Sequence, residues 1–310
     1  MSMLKLSYLT VFTLSVILLS CTRESGEVKW KINDLEYLEA PGLNILVFHN
    51  TYPVGKQGGI EIIQHGDRIA TNVYINVDLP PGQSFPRPDV AERTVSSDKK
   101  EISARINVPD FDFSYTIRLW PENEAIHLAV DLDKPIPEEW KNRVTFDMLL
   151  YPVPYREKTF QLGETFGVFP YEALGPKVKR DDGEFIPAPM AKGSKLMIAP
   201  EDPMYKMEIE QLNGDIALVD GRNGSHGGWF ILQSQINTGV TKGAVEWIIK
   251  PNAIPGWVRD PMIGISQVGY HSEQVKQAII ELDSRTTQLE TATLQRIRND
   301  GAIEDIHSSI

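Results

Sequence analysis

Over residues 28–151 apolar side chains recur at every second position between short turn-forming clusters, and this alternation restricts the chain more than any other feature. A period of two sets one side of each segment against a core and the other in water, the pattern of a half-buried strand and not of a helix. The segments 43–49, 60–65, 69–79, 102–108, 113–119, 126–132 and 144–150 each read as strands. Turn formers separate them, among them Pro53 and Gly55, Gly66 and Asp67, residues 80–82, Pro109 and Asp110, and residues 121–123. Seven strands at that spacing, with the single turn 137–140 as the best helical candidate, predict an antiparallel sandwich.

The stretch 163–203 has another character. Gly163, Gly167, Pro170, Gly175, Pro176, Gly183, Pro187, Pro189, Gly193, Pro200 and Pro203 interrupt it too often for long elements. An ordered stretch so rich in breaks covers a sheet face or shapes a groove. Strands resume at 207–212, 216–219, 229–235 and 244–249, with no linker before them, so residues 22–250 read as one all-β domain. The expected form is a large antiparallel β-sandwich, the supersandwich of sugar-mutarotase folds being one version of it.

Residues 1–21 stand apart from this fold. Lys5 precedes an apolar run over 8–19, and Leu18, Leu19, Ser20 and Cys21 close it in the manner of a bacterial lipoprotein signal. Lipid attachment needs a thiol, and Cys21 is the 1 cysteine of the 310-residue chain. The run is short for a membrane span, which takes about 20 residues. These residues predict a lipidated Cys21, a tether over 22–27 and a body held at the bacterial cell envelope. Thr22 at the next position resembles lipoproteins sent to the outer membrane. Without a second thiol the exported body has no disulfide, so burial must stabilise it.

Loss of Lys5 with the signal leaves 30 of the 31 basic residues against 42 acidic ones, a formal net charge of −12. Nucleic acid is a poor partner for such a surface, and a neutral or cationic ligand is easier to accommodate. A monomer is expected.

Pro251, Pro255, Gly256 and Pro261 mark 251–261 as a linker, and the residues beyond it have a recognisable order. Ile263, Gly264, Ile265, Ser266, Gln267, Val268, Gly269 and Tyr270 lead into a strand-like run over 277–282 and another over 291–297. Gly269 supplies a backbone bend that a β-carbon would oppose, and Tyr270 can bury its ring while its hydroxyl finds a backbone partner. This order resembles the start of the immunoglobulin-like domain that precedes the catalytic barrel in glycoside hydrolase family 9, the cellulase and endoglucanase family. In that family the turn reads Asn-Gln-Val-Gly-Tyr; here Ser266 replaces the Asn, and Gln267, Val268, Gly269 and Tyr270 match. The resemblance covers residues 262–310 and implies the first strands of an immunoglobulin-like sandwich. A complete one takes about 100 residues, so the 262–310 segment is expected to continue into further polypeptide, or else to dock as extra strands on the first domain.

Catalytic chemistry has little support within the chain. The family's carboxylates lie in its barrel, and its Asp-Ala-Gly-Asp motif is absent here, so no catalytic residue carries over. Asp181, Asp182 and Glu184 form the densest acidic cluster, in a sequence that is ordinary turn vocabulary. These three, or Glu201 with Asp202, are the candidates for calcium, at a spacing that matches no standard loop. The six histidines are scattered and none pairs at ligand spacing, so no metal and no cofactor is expected. Glycan contact is better represented. Sugars offer apolar faces to aromatic rings, and Trp229, after a glycine turn, projects toward a groove with Tyr171 and Trp257 as the candidate contacts. Trp120, Trp140 and Trp247 read as packing residues, and Trp257 as a wedge between domains.

These residues support two readings. The chain is the non-catalytic front part of a lipid-anchored glycoside hydrolase resembling family 9, whose complete form cleaves β-1,4-glucans, with polysaccharide and membrane as partners. The alternative is a stand-alone surface glycan-binding lipoprotein; a supersandwich enzyme using its own groove acids is a third.

Overall fold

The computed structural model describes residues 29–54, 57–78, 91–180, 183–224, 227–286 and 291–309. The segment 1–21 with Cys21, the tether over 22–27, the turn 80–82, and Asp181 and Asp182 lie outside them.

The first ten strands are β1 (Lys31–Ile32), β2 (Leu38–Ala40), β3 (Leu43–Val47), β4 (Ile60–Gln64), β5 (Asp67–Val77), β6 (Glu92–Val95), β7 (Ile102–Val108), β8 (Phe113–Glu122), β9 (Ala125–Leu132) and β10 (Val144–Leu150). A one-turn helix, α1 (Pro152–Tyr155), comes after them. Next come β11 (Thr159–Leu162), β12 (Thr165–Val168), β13 (Lys177–Lys179), β14 (Phe185–Pro187), β15 (Pro189–Gly193), β16 (Lys195–Ile198), β17 (Met207–Gln211), β18 (Ile216–Asp220), β19 (Phe230–Gln235) and β20 (Val245–Pro251). After the linker stand β21 (Met262–Gly264), β22 (Ile279–Glu281), β23 (Ala292–Ile297) and β24 (Ile303–Ser309).

These strands build an all-β sandwich of two nine-stranded antiparallel sheets. The first runs β1-β2-β3-β4-β5-β10-β19-β18-β15 and the second β12-β11-β16-β17-β20-β9-β8-β7-β6. In the second sheet the alternation is regular. Phe113, Tyr115, Ile117 and Leu119 of β8 are buried, while Ser114, Thr116, Arg118 and Trp120 face outward. Their buried row meets Ile102, Ala104, Ile106 and Val108 of β7 and Val245, Trp247 and Ile249 of β20 in one continuous core. Each such side chain contributes about 1.5–3 kcal/mol by leaving water.

Two polar pairs fix the sheets against each other. Trp247 Nε1 donates to Ser234 Oγ at 2.9 Å, and the Ile75 N–H donates to the Tyr115 hydroxyl at 3.4 Å. Trp247 also meets Phe146 edge to face at 5.3 Å between ring centres. The first sheet is buried on both faces around β10, β19 and β18. Leu149, Ile231 and Val219 lie in register across β10, β19 and β18 and, with Tyr74, form a second buried cluster outside the main core.

The expected turn at 137–140 is a 3-10 turn, Glu138–Trp140, with Trp140 buried. Within 163–203 the breaks leave short paired strands, β12 to β16, and not continuous loop. Trp257 in the linker packs 5.3 Å from the His65 ring, and a β-carbon on Gly42 (φ +74°) would fall 2.8 Å from His65 and 2.9 Å from Trp257. Beyond it β21 pairs with β22 and β23 with β24, as two-stranded ribbons with mostly exposed faces. Gly269 takes φ +82°, and the Tyr270 hydroxyl accepts from the Ser266 N–H at 3.1 Å while donating to the Gln277 carbonyl.

Two outcomes test this packing. Trp247→Ala removes the largest fully buried side chain and strands the Ser234 hydroxyl, so urea unfolding should show a loss of roughly 3–5 kcal/mol; a loss below about 1 kcal/mol contradicts a tight seam. His65 gives a pH signature. Burial holds its imidazole below the ordinary range, opposed in part by the hydrogen bond to the Met204 carbonyl. The unfolded chain therefore takes up the proton first, so this contribution is complete above about pH 6.5 and is lost as pH falls through the lower folded value. Between pH 7 and 5 the unfolding midpoint should fall more steeply for the native protein than for His65→Asn, whose residue tolerates the left-handed backbone there (φ +50°); parallel slopes contradict it.

Candidate functional site

A candidate site grows out of one hairpin. Between β4 and β5 only His65 and Gly66 turn the chain, at φ +50° and +91°, the two-residue connection whose twist matches the flanking strands. Asp67 and Arg68 are thereby placed at the start of β5, beside the end of β10, where Tyr151 extends the ladder through its N–H to the Ile69 carbonyl at 3.0 Å. Helix α1 begins on Pro152, whose missing N–H costs nothing at a first helical turn. Arg156 and Lys158 stand just after it, and Tyr205 enters from the loop before β17. Asp67, Arg68, Tyr151, Pro154, Arg156, Lys158 and Tyr205 line a cleft of about 380 Å³.

The charges in this cleft are nearly all matched. Glu61, almost completely buried, accepts from the Tyr52 hydroxyl and from Asn50 Nδ2 at 3.3 Å, and lies 3.4 Å from Arg68 Nη1. Arg68 in turn donates to the Tyr52 hydroxyl at 3.1 Å. Burial, then the Glu61 carboxylate, push the Tyr52 hydroxyl above its ordinary range. Across the cleft Lys158 Nζ pairs with Asp202 at 2.6 Å, and the Tyr205 hydroxyl donates to Asp67 at 2.6 Å. That bond, then burial, pushes Tyr205 up to about 12. Arg156 differs from the others: its guanidinium lies 5.2 Å from the centre of the Tyr171 ring, its Nε is buried without a partner, and among the described residues no carboxylate comes within 4.0 Å.

A buried clamp sets the rim. Arg222 Nε pairs with Asp220 Oδ1 at 2.8 Å, both side chains nearly fully buried. Its other nitrogens donate to the carbonyls of Pro170, Tyr171 and Glu172 at 2.7–2.8 Å, and its guanidinium lies over Phe230 at 4.4 Å. Asp220 also accepts from the Gly175 N–H at 3.1 Å. The loop carrying Tyr171 is thus bound to β18 by its backbone, which leaves the Tyr171 ring exposed at the cleft.

The structure brings two of the three expected aromatic contacts together here. Tyr171 stacks on Arg156, and Trp229 meets Tyr151 edge to face at 4.6 Å. Trp257 lies elsewhere, packed on His65 and Gly42 with Arg285 5.9 Å from its ring. Glu201 and Asp202 are used locally, Glu201 accepting from Thr159 and Asp202 from Lys158. Among the described residues no three of His, Cys, Asp and Glu converge as a metal cluster, and no helix is long and apolar enough to cross a membrane. Arg68, Arg156 and Tyr151 escape sequence reasoning because their partners stand elsewhere in the chain, and Arg222 because the carbonyls it holds lie some fifty residues away.

A second, larger hollow of about 580 Å³ lies by Trp30, Lys99, Glu101, Arg118 and Trp120. Its half-buried indole is already engaged: Trp120 stacks on His127 at 5.3 Å and carries Arg118 at 5.3 Å.

No family model matches the chain, and no curated protein matches it. Among solved structures it is similar to the Slr1438 protein from Synechocystis sp. PCC 6803, at 9% identity over 80% of this chain and 98% of that one, with a TM-score of 0.34. A similarity of that size carries no argument about function.

The clamp yields a direct test. Arg222→Ala leaves the Asp220 carboxylate buried without its counter-ion, a change that costs roughly 3–5 kcal/mol, and frees the loop around Tyr171. Unfolding midpoints and limited proteolysis should show lower stability and cleavage within 168–176; an unchanged digest contradicts the role assigned to Arg222.

Proposed function

We propose that this chain is the non-catalytic, glycan-contacting front part of a lipid-anchored glycoside hydrolase resembling family 9. The observation that carries the glycan reading is the cleft whose lining residues Arg156 and Tyr151 contact the exposed Tyr171 ring and the half-buried Trp229 indole. Aromatic rings offer faces to pyranose C–H groups, and Asp67, Arg68, Tyr151 and Tyr205 supply hydrogen-bonding groups in the cleft lining for sugar hydroxyls.

The non-catalytic part of the reading rests on the acids. Glycoside hydrolysis takes two carboxyl groups about 5–10 Å apart, facing one bond. The cleft lining holds one carboxylate, Asp67, already bonded by Tyr205, and Glu61 is closed off behind Tyr52 and Arg68. The family resemblance draws on the Gly269 bend and the Tyr270 hydroxyl bonds, and on the exposed ribbons, where Ile263, Ile279, Leu294, Ile297 and Ile303 face solvent. Apolar strand faces of that kind are the inner faces of a sandwich that other strands cover. In this reading Cys21 bears the lipid, the body stands at the bacterial outer membrane, and hydrolysis of β-1,4-glucan belongs to a barrel beyond the immunoglobulin-like strands. The stand-alone glycan-binding lipoprotein shares the cleft and differs only in lacking that barrel.

Affinity electrophoresis in β-glucan, xyloglucan and mixed-linkage glucan gels tests the shared element. Retardation of the native protein should fall at least about tenfold in affinity, or 1.4 kcal/mol, for Trp229→Ala, while a reducing-sugar assay on this chain shows no release. Equal retardation of the variant removes the cleft from the reading, and release of sugar by this chain removes the non-catalytic part of it.

A further inference from the structure

The ligand class of the cleft can be narrowed, an inference that rests on the glycan-binding reading above. We propose that the cleft selects acidic sugars, a hexuronate carboxylate docking on Arg156 while the sugar rings of the chain lie against the neighbouring aromatic side chains, Tyr171 beside Arg156 and Trp229 beside Tyr151.

The reasoning starts from charge pairing. Of the three lining cations, Arg68 is matched by Glu61 at 3.4 Å and Lys158 by Asp202 at 2.6 Å. Asp67 is engaged by the Tyr205 hydroxyl. Among the described residues Arg156 alone faces the cleft without a counter-charge, its Nε buried and unpaired. A neutral sugar seated there would strip water from a guanidinium and return no opposite charge, which is costly. A carboxylate supplies that charge and fits the planar donor fork with two parallel hydrogen bonds. Contact with the Tyr171 ring, 5.2 Å from its centre, restrains the guanidinium, so less side-chain freedom is lost on binding.

The formal net charge of −11 on the whole chain points the other way, toward neutral or cationic ligands. Distance decides between the two effects. Charges beyond about 8 Å are largely screened at physiological salt, whereas a half-buried contact pair is not. Local pairing at Arg156 therefore outweighs the acidic surface.

Isothermal titration separates the outcomes. The probes are a galacturonate hexamer, its fully methyl-esterified form, a gluco-hexamer, a sulfated hexasaccharide and inorganic phosphate. The free acid should bind at least about tenfold tighter than its ester, with a margin that shrinks as salt rises. Arg156→Gln should abolish that margin, bringing the affinities for acid and ester together, while Trp229→Ala weakens acid and ester alike and keeps the margin. Equal binding of acid and ester overturns acid selection and leaves the glycan reading standing. Absence of binding by every saccharide overturns both. Competition by sulfated sugar or phosphate as strong as by the uronate overturns carboxylate recognition in favour of a general anion site. Should Arg156→Gln lower the melting temperature severely, Arg156→Lys keeps the charge and loses the fork. Its acid-over-ester margin should fall several-fold, and an intact margin rejects the docking proposed.

Discussion

The molecule depends on the seam between its two sheets, where side chains of β7, β8, β9 and β20 interdigitate with those of β3, β5, β10 and β19. No disulfide supports this fold among the described residues, so the apolar area removed from water has to offset the ordering of the whole chain. The seam is also specific. The indole of Trp247 finds Ser234 across the sheets and the Tyr115 hydroxyl finds the Ile75 N–H, so a sliding register would leave polar atoms unmatched in the core.

The seam also sets the position of the cleft. The second sheet needs cover on one side only, and its outward face is polar, with Ser114, Thr116 and Arg118 on β8 alone. The first sheet carries a further apolar row, Leu149, Ile231 and Val219, on the side away from the seam, and Trp229 packs against it. The broken stretch is bound nearby through Arg222 and Asp220. The β4–β5 turn, α1 and the loop before β17 supply the lining of the cleft. Its arginines, tyrosines and Asp67 are therefore placed by tertiary packing and not by a local motif.

How much of this was legible in the sequence varies with the range of the forces involved. The alternation of β7, β8 and β20 could be read directly, because each strand meets a core on one face and water on the other. Strands β1, β2 and β6 are two to four residues long and are stabilised by their neighbours, so no window of sequence shows them. Helix α1 is a single turn holding Pro152 and Pro154, residues that disguise a helix in sequence although its first turn tolerates them. Trp229 and Tyr171 were identifiable as aromatic residues beside glycine and proline turns. The arginine that stacks on Tyr171 and the one that holds its loop were not, since the second acts across some fifty residues of sequence. Trp257, expected as a glycan contact and as a wedge, meets His65 and Gly42 in the structure, which supports its packing role.

A crystal structure with a bound acidic hexasaccharide addresses the central claim most directly, that an aromatic and arginine-lined cleft at the end of the first sheet holds a sugar. A sugar ring should lie against Tyr171 or Trp229, with a carboxylate of the hexasaccharide within hydrogen-bond distance of Arg156. Sugar density confined to the hollow by Trp30 and Trp120, with the Arg156 cleft holding only water, would contradict it.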